Sequence, residues 1–122
     1  MGKEMNVDEM EALLRTAKLG RLGLSVDDDP YPYVVLVSFG YASGKIYIHG
    51  SAKGKKAEYL RRNSKVCFEV DECTDDDWKS VIIYGRINSI EDLEKQKEIF
   101  NIISKVDEQR RLEHMNLSLI HI

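Results

Sequence analysis

The sequence of 122 residues has only two cysteines and no apolar run long enough to cross a membrane. Cys67 and Cys73 show neither a CxxC spacing nor a Cys/His pattern, so we expect them to be reduced and structural, not a disulfide or metal ligands. A bilayer span needs roughly 18–20 consecutive apolar residues, and the start at Met1–Lys3 lacks the apolar core of a signal peptide. We therefore expect a cytoplasmic protein without a membrane partner.

Proline and histidine are also scarce. Both prolines lie in DDDPYPY, residues 27–33, which predicts a solvated turn because proline prevents ladder pairing and the three carboxylates repel one another. His49 has no second histidine or acidic partner at a useful spacing, so the sequence predicts no metal site.

Positive charge is concentrated in one part of the chain. The formal net charge is −3, yet residues 45–65 carry seven basic side chains and one acid, a net of +6 that leaves −9 for the remainder. A nucleic-acid-binding surface spreads basic charge along a face, whereas one basic island in an acidic chain favours a local anionic ligand. Nucleic-acid binding by the basic segment, which salt would weaken steeply, is the less favoured alternative.

Apolar periodicity and turn residues predict a single domain with the order helix, three strands, short helix, two strands, helix. The predicted helices cover about 6–18, 53–62 and 89–106, and the predicted strands cover 21–26, 33–39, 45–49, 65–71 and 79–87. Hairpin-length links argue for an antiparallel sheet or barrel, mainly β with flanking helices. Val81–Tyr84 predicts burial on both faces of its strand, and Ser89 with Asp92 predicts a capping box for the last helix.

The stretch GSAKGK, residues 50–55, leads from a strand into the short helix and predicts a phosphate site. A helix start directs backbone N–H groups and the positive end of the helix dipole at one spot, where anions bind. The donors would be the Ser51 hydroxyl, the N–H groups near Ala52–Gly54, and the ammonium groups of Lys55 and Lys56. The glycine spacing and the missing Ser or Thr after the lysine argue against a P-loop. A solvated lysine-rich helix start is the alternative.

Several other side chains have two interpretations each. His49 ends a strand beside this junction and is either a hydrogen-bonded structural residue or a catalytic one. Trp78 and Tyr84 could stack on a flat ligand or belong to the core. Ser38 lacks the triad pattern that would activate a nucleophile.

The last six residues, LSLIHI, need separate treatment. They are what the string CTG TCT CTT ATA CAC ATC encodes, and that string resembles a transposase end used in sequencing libraries. We expect that the natural domain, residues 1–116, is cut off near Asn116 and that residues 117–122 are a non-native tail.

Four segments, in this order, resemble the FMN-binding split-barrel proteins related to pyridoxamine 5'-phosphate oxidase, and most closely the 5-nitroimidazole-resistance reductases. They are PYVVLVSF, IYIHGSAKGKK, VCFEVDE and SVIIYGR, within a match from about Leu13 to Ile90. The resemblance implies a six-stranded antiparallel split barrel that forms a homodimer, with one FMN at each of two sites in the interface. Because such barrels generally continue to a strand after the last helix, we expect this fold to be truncated at the C-terminus.

The resemblance also implies the flavin-binding residues. The strand expected along the isoalloxazine edge, which its backbone would contact, consists of Val35, Leu36, Val37 and Ser38. The junction expected to hold the phosphate contributes His49, Ser51, Lys55 and Lys56. The segment expected to approach the flavin from the neighbouring subunit contains Trp78, Ser80 and Val81.

The function that the resemblance implies is an FMN-dependent oxidoreductase. It would reduce a small organic molecule with electrons from a nicotinamide or another donor, and the flavin would carry the redox chemistry. No side chain is an obvious acid or base, and His49 is the only catalytic candidate. The alternative is a barrel that holds haem, a deazaflavin or another flat cofactor as a carrier or sensor, without turnover.

Overall fold

The structure, a computed structural model, describes residues 4–42, 44–50, 53–103 and 118–121, with the backbone alone for 49–50, 102–103 and 118–121. The elements in chain order are α1 (Val7–Thr16), β1 (Leu19–Leu24), β2 (Tyr33–Ala42), β3 (Lys45–Gly50), α2 (Lys55–Arg62), β4 (Lys65–Cys73), β5 (Trp78–Arg86), β6 (Asn88–Ile90), α3 (Leu93–Ile103) and β7 (Ser118–His121). The predicted order of helices and strands is confirmed, with one further short strand on each side of α3.

Local signals fix the ends of α1 and α2. The Asn6 side chain accepts a hydrogen bond from the Glu9 N–H at 2.8 Å, and the Glu9 carboxylate accepts one from the Asn6 N–H at 3.3 Å, which completes a capping box. Helix α2 begins after Gly54, whose φ of 101° lies in the region that favours glycine, and ends at Asn63 as predicted. Its start is therefore two residues later than the sequence pattern indicates.

The strands form one sheet in the order β5-β4-β1-β2-β3-β7-β6, with antiparallel neighbours throughout. The two strands at opposite ends of this order, β5 and β6, are separated in sequence by Ile87 alone. One residue spans at most about 3.6 Å, so the sheet must curl until its two ends meet. Counted as one bent strand, β5 and β6 give the six-stranded split barrel that the resemblance implies.

Strand β2 passes between the two halves of the barrel. Its residues 33–38 pair with β1, and its residues 39–42 pair with β3 on the other side. The edge of residues 33–38 that faces away from β1 is therefore not paired with any strand in the described part of the chain. This unpaired edge is the split in the barrel.

The core lies inside the curled sheet. Its largest fully buried side chains are Leu22, Ile48, Phe68 and Val70. The Phe68 ring meets Phe39 edge to face, with ring centroids 4.9 Å apart, an arrangement that aromatic pairs prefer. A second, smaller cluster of Ile90, Ile99 and Phe100 lies under α3.

Two sequence-based predictions about this part of the fold are wrong. Val81–Tyr84 is not buried on both faces within the chain, since its residues alternate and Ile82 and Tyr84 are 56% and 80% exposed. Ser89 does not cap the last helix, because it lies in β6 opposite Ile120. The Asp92 carboxylate instead accepts a hydrogen bond from the Glu94 N–H at 3.0 Å. The predicted helical residues 104–106 lie outside the described residues.

The C-terminal residues provide the strand between β3 and β6. Ser118–His121 pairs with β3 on one side and with β6 on the other. The sheet thus has a strand where a truncated fold would lack one. The non-native origin of residues 117–122 stays a prediction, and residues 117 and 122 lie outside the described residues.

Close packing of β1 against the core predicts the effect of enlarging Gly20. A Cβ atom there would lie 2.3 Å from Phe68 Cζ and 3.0 Å from the Glu69 carbonyl oxygen. Because the Phe68 ring is fully buried, it cannot move aside cheaply, and we expect Gly20→Ala to lower the free energy of unfolding by about 1–3 kcal/mol. Chemical denaturation measures this loss.

The double variant with Phe68→Leu tests the cause of that loss. A smaller side chain next to Gly20 should relieve the clash. Gly20→Ala should therefore lower the free energy of unfolding less in the Phe68→Leu background than in the wild type. The same cost in both backgrounds would contradict the packing explanation.

Candidate functional site

The start of α2 brings together a helix N-terminus and two lysines. Gly54 provides no side-chain cap, and Lys55 and Lys56 follow directly in the first turn. Like charges at the positive end of a helix dipole are unfavourable, so these lysines need other compensation. The structure gives the two lysines different surroundings.

Lys56 is half-buried and has no acidic partner among the described residues. None of the ion pairs in this part of the chain involves it. Burial lowers the pKa of Lys56, and no neighbouring carboxylate offsets the effect. A bound anion would offset the cost of burying such an ammonium group.

Lys55 is exposed and lies beside two aromatic rings. Its Nζ atom lies 4.6 Å from the Tyr33 ring centroid and 5.4 Å from that of Tyr59, within the range of cation–π attraction. The Tyr59 hydroxyl donates to the Asp29 carboxylate, and this hydrogen bond is the main reason that the pKa of Asp29 is lowered, with a further contribution from Lys55. The DDDPYPY turn, expected to be a solvated loop, is thus tied to α2.

The other residues predicted at the phosphate site are described in part or not at all. His49 lies near the end of β3, and its backbone is opposite Leu119, but its side chain is outside the described residues. Ser51 and Ala52 also lie outside them. The place of His49 and Ser51 at the phosphate site therefore stays a prediction.

The strand predicted along the flavin ring lies at the split in the barrel. Val35–Ser38 pairs with β1 on one edge and leaves its other edge without a strand partner in the described chain. Val37 is buried in the core, whereas Leu36 points outward and is 57% exposed. Backbone N–H and C=O groups along this edge can therefore contact a flat polar ring, as the resemblance implies.

The segment of Trp78, Ser80 and Val81 lies apart from this edge. These residues belong to β5, and strands β4 and β1 separate them from β2. Val81 is buried in the core, Trp78 is 53% exposed, and the Ser80 hydroxyl donates to the Glu69 carboxylate at 2.8 Å. One chain does not bring this segment and Val35–Ser38 together.

The outer face of the sheet carries an apolar patch that the sequence analysis missed. Tyr84, Cys67, Gly23 and Val34 are cross-strand neighbours in one row, and Ile82, Glu69, Arg21 and Leu36 are neighbours in the next. The exposed apolar members, which we call the outer patch, are Val34, Leu36, Ile82 and Tyr84. Arg21 in its middle is paired with Asp71 at 2.9 Å and Glu69 at 3.6 Å. The uninterrupted apolar runs of β2 and β5 are the feature of the sequence from which this patch could have been predicted.

One surface groove lies away from the predicted site. A surface groove of about 460 Å³ at the C-terminal end of α2 is lined by Val26, Asp27, Arg62, Asn63 and Lys65, none of which is a predicted site residue. In the described part of the chain, no group of three histidine, cysteine, aspartate or glutamate side chains is arranged to hold a metal ion. No helix among the described residues is long and apolar enough to cross a bilayer.

This chain is an antiparallel split barrel with flanking helices. Its candidate site consists of a strand edge at the split and a basic helix start. These features define it as a split-barrel protein. The family model described as pyridoxamine 5'-phosphate oxidase matches residues 6–118, so this chain belongs to that family. The comparison with curated protein sequences gives no match.

Solved structures with the same fold cover nearly all of this chain. A FAD-binding protein from Mesorhizobium loti is 27% identical, with a TM-score of 0.79 and coverage of 97% of this chain and 88% of its own. A candidate 5-nitroimidazole antibiotic resistance protein from Bacteroides thetaiotaomicron is 22% identical, with a TM-score of 0.78 and coverage of 95% and 78%. A FAD-binding protein from Mycobacterium smegmatis is 18% identical, with a TM-score of 0.72 and coverage of 97% and 88%. The last two are similar in fold alone.

Proposed function

We propose that this protein is an FMN-binding flavoprotein that acts as an oxidoreductase on a small organic substrate. The observation that carries the proposal is the half-buried Lys56 at the start of α2, which has no acidic partner among the described residues. Membership of the pyridoxamine 5'-phosphate oxidase family and the fold shared with proteins named for FAD binding support a flavin as the ligand.

Among the described residues, Lys56, the start of α2 and the edge of β2 fit a flavin with a phosphate group. Lys56 would hold the phosphate, together with the backbone N–H groups at the start of α2 and with His49 and Ser51 from the adjoining junction. The strand edge at Val35–Ser38 would contact the polar rim of the ring system. A bound flavin supplies electron transfer between a donor, such as a nicotinamide, and the substrate.

The chain's own part in the chemistry is to bind and orient the cofactor and to exclude water from it. No described side chain is placed as an acid or base at the strand edge of Val35–Ser38. His49 is the one catalytic candidate, and its role is either a contact to the cofactor or proton transfer. The substrate class is a small organic molecule that fits over the ring.

We propose further that the protein is a homodimer with the flavin at the interface. The outer patch, Val34, Leu36, Ile82 and Tyr84, is apolar and exposed on the sheet face of a single chain. A second copy that covers this patch would bury the face of Val81–Tyr84 that is exposed in one chain. It would also bring Trp78, Ser80 and Val81 of the partner subunit to the flavin, which one chain cannot do.

The absorption spectrum of the purified protein, followed by denaturing release of any chromophore, tests the cofactor. We expect two broad flavin bands and released FMN at about one per chain, since each dimer would hold two sites. Release of FAD would support the assignment as a flavoprotein and would identify its cofactor as FAD instead of FMN. A Soret band would favour the haem-binding alternative, and a colourless protein that takes up no added flavin would contradict the proposal.

Loss of the Lys56 ammonium group should weaken FMN binding selectively. Lys56→Ala removes a charge-assisted contact, so we expect a loss of about 1.5–3 kcal/mol in a flavin fluorescence titration. Riboflavin, which lacks the phosphate, should bind the variant and the wild type equally. Lys65→Ala, the same change at an exposed lysine on β4, is the matched control. Unchanged FMN affinity in Lys56→Ala would rule out the phosphate assignment.

A charge placed in the outer patch should separate the dimer. Tyr84→Asp would bury an unpaired carboxylate in the proposed interface, at a cost of several kcal/mol, and should give a monomer in analytical ultracentrifugation. Leu93→Asp, at an exposed apolar residue on α3, is the control and should leave a dimer. A monomeric wild type, or a Tyr84→Asp variant that stays dimeric, would refute this interface.

A further inference from the structure

Three side chains, one from the loop before β2, one from β2 and one from α2 itself, lie near the ammonium group of Lys55. We call Asp29, Tyr33, Lys55 and Tyr59 the Lys55 clamp. The Tyr33 and Tyr59 ring centroids are 5.5 Å apart with the planes tilted by 59°, and Lys55 Nζ lies 4.6 and 5.4 Å from them. The Tyr59 hydroxyl donates to the Asp29 carboxylate, which also accepts a hydrogen bond from the Tyr31 N–H at 3.0 Å.

The clamp joins the two parts of the proposed flavin site. Tyr33 is the first residue of β2 and stands two positions before the strand edge at Val35–Ser38. Lys55 is the first residue of α2 and stands next to Lys56. The contacts between Tyr33 and Lys55 therefore set how far the phosphate-binding helix start lies from the ring-binding strand.

Helix α2 has few other attachments at its N-terminal end. It has only eight residues, and Ala57 and Tyr59 are the two that are buried. Its C-terminal end is held separately, by the ion pair of Arg62 with Asp28 and by the hydrogen bond from the Asn63 amide to the Ser25 carbonyl oxygen. Without a side-chain cap at Gly54, the Lys55 clamp acts together with the buried Ala57 to hold the first turn against the sheet.

We propose that Asp29 and Tyr59 are positioning residues for the flavin, and that through the Lys55 clamp they fix the distance between the ring-binding strand edge and Lys56. The proposal rests on the proposed function. It gives Lys55 a structural role, because the rings and Asp29 compensate its charge, and leaves Lys56 as the ammonium group for the phosphate. A preorganised site binds more tightly because less ordering is needed when the ligand arrives.

Removal of Asp29 distinguishes positioning from simple electrostatics by the sign of its effect. If Asp29 acted only through its charge, Asp29→Ala would remove a carboxylate that repels the phosphate, and FMN would bind more tightly. If it positions the helix start, FMN binds more weakly. Tyr59→Phe changes no charge and removes only the hydroxyl that donates to Asp29, so it should weaken FMN binding in the same direction.

The experiment is a fluorescence titration of the wild type and both variants with FMN and with riboflavin. We expect each variant to bind FMN about five- to tenfold more weakly, while its riboflavin affinity stays within about twofold of the wild type. Riboflavin depends on the ring-binding strand alone, so it should not sense the distance to Lys56. Asp27→Ala removes a charge from the same loop and, as the control, should not weaken FMN binding.

Three outcomes overturn the inference. Tighter FMN binding in Asp29→Ala would show that Asp29 acts through its charge, and unchanged binding would show that Asp29 does not affect the flavin site. An equal loss of riboflavin affinity would show that the clamp only supports the fold. A wild type that binds no flavin would overturn the proposed function and this inference with it, whereas wild-type binding with unaffected variants overturns this inference alone. Thermal unfolding verifies that each variant is folded, and if Tyr59→Phe is not, Asp29→Ala carries the test.

Discussion

The rest of the structure depends on the closure of the sheet through one bent strand. Because β5 and β6 are separated by Ile87 alone and lie at opposite ends of the strand order, the sheet has no freedom to remain flat. Closure directs one side of every strand inward, where Leu22, Phe68 and Val70 fill the interior. It also requires β2 to leave β1 after residue 38 and to join β3, which creates the unpaired strand edge on which the candidate site depends.

Closure of the sheet leaves apolar residues on its outer face exposed to solvent. A small barrel buries its inner face completely, so apolar residues on the outer face stay exposed unless another surface covers them. Val34 and Leu36 on β2 and Ile82 and Tyr84 on β5 are in this position, with Arg21 paired to Asp71 and Glu69 between them. Within one chain, the curled sheet separates Trp78 from Val35–Ser38. The same curled sheet provides an apolar outer surface through which a second chain could bring its own Trp78 segment to Val35–Ser38.

The sequence predicted most of the fold because its local signals are strong. Asn6 or Asp8 as a cap and Asn63 as a stop are signals of helix ends that the sequence offers, and the structure uses Asn6 and Asn63. Apolar residues alternate along residues 65–71, the pattern of a half-buried strand. The errors arise where the deciding contact is distant in sequence. Ser89 has good cap chemistry but pairs with Ile120. Val81–Tyr84 has the composition of a doubly buried strand, but one of its faces is exposed in the described part of the chain.

The candidate site shows the same division between local and distant information. The sequence places Lys55 and Lys56 at one helix start, but the different surroundings of these lysines depend on Tyr33 and Asp29, which are more than twenty residues away. Two adjacent ammonium groups at the positive end of a dipole would be unfavourable if both faced one anion-free spot. The fold removes the conflict by directing Lys55 between two aromatic rings and leaving Lys56 half-buried without an acid among the described residues. The helix start thus retains Lys56 as an ammonium group whose charge the anionic phosphate of a ligand would compensate.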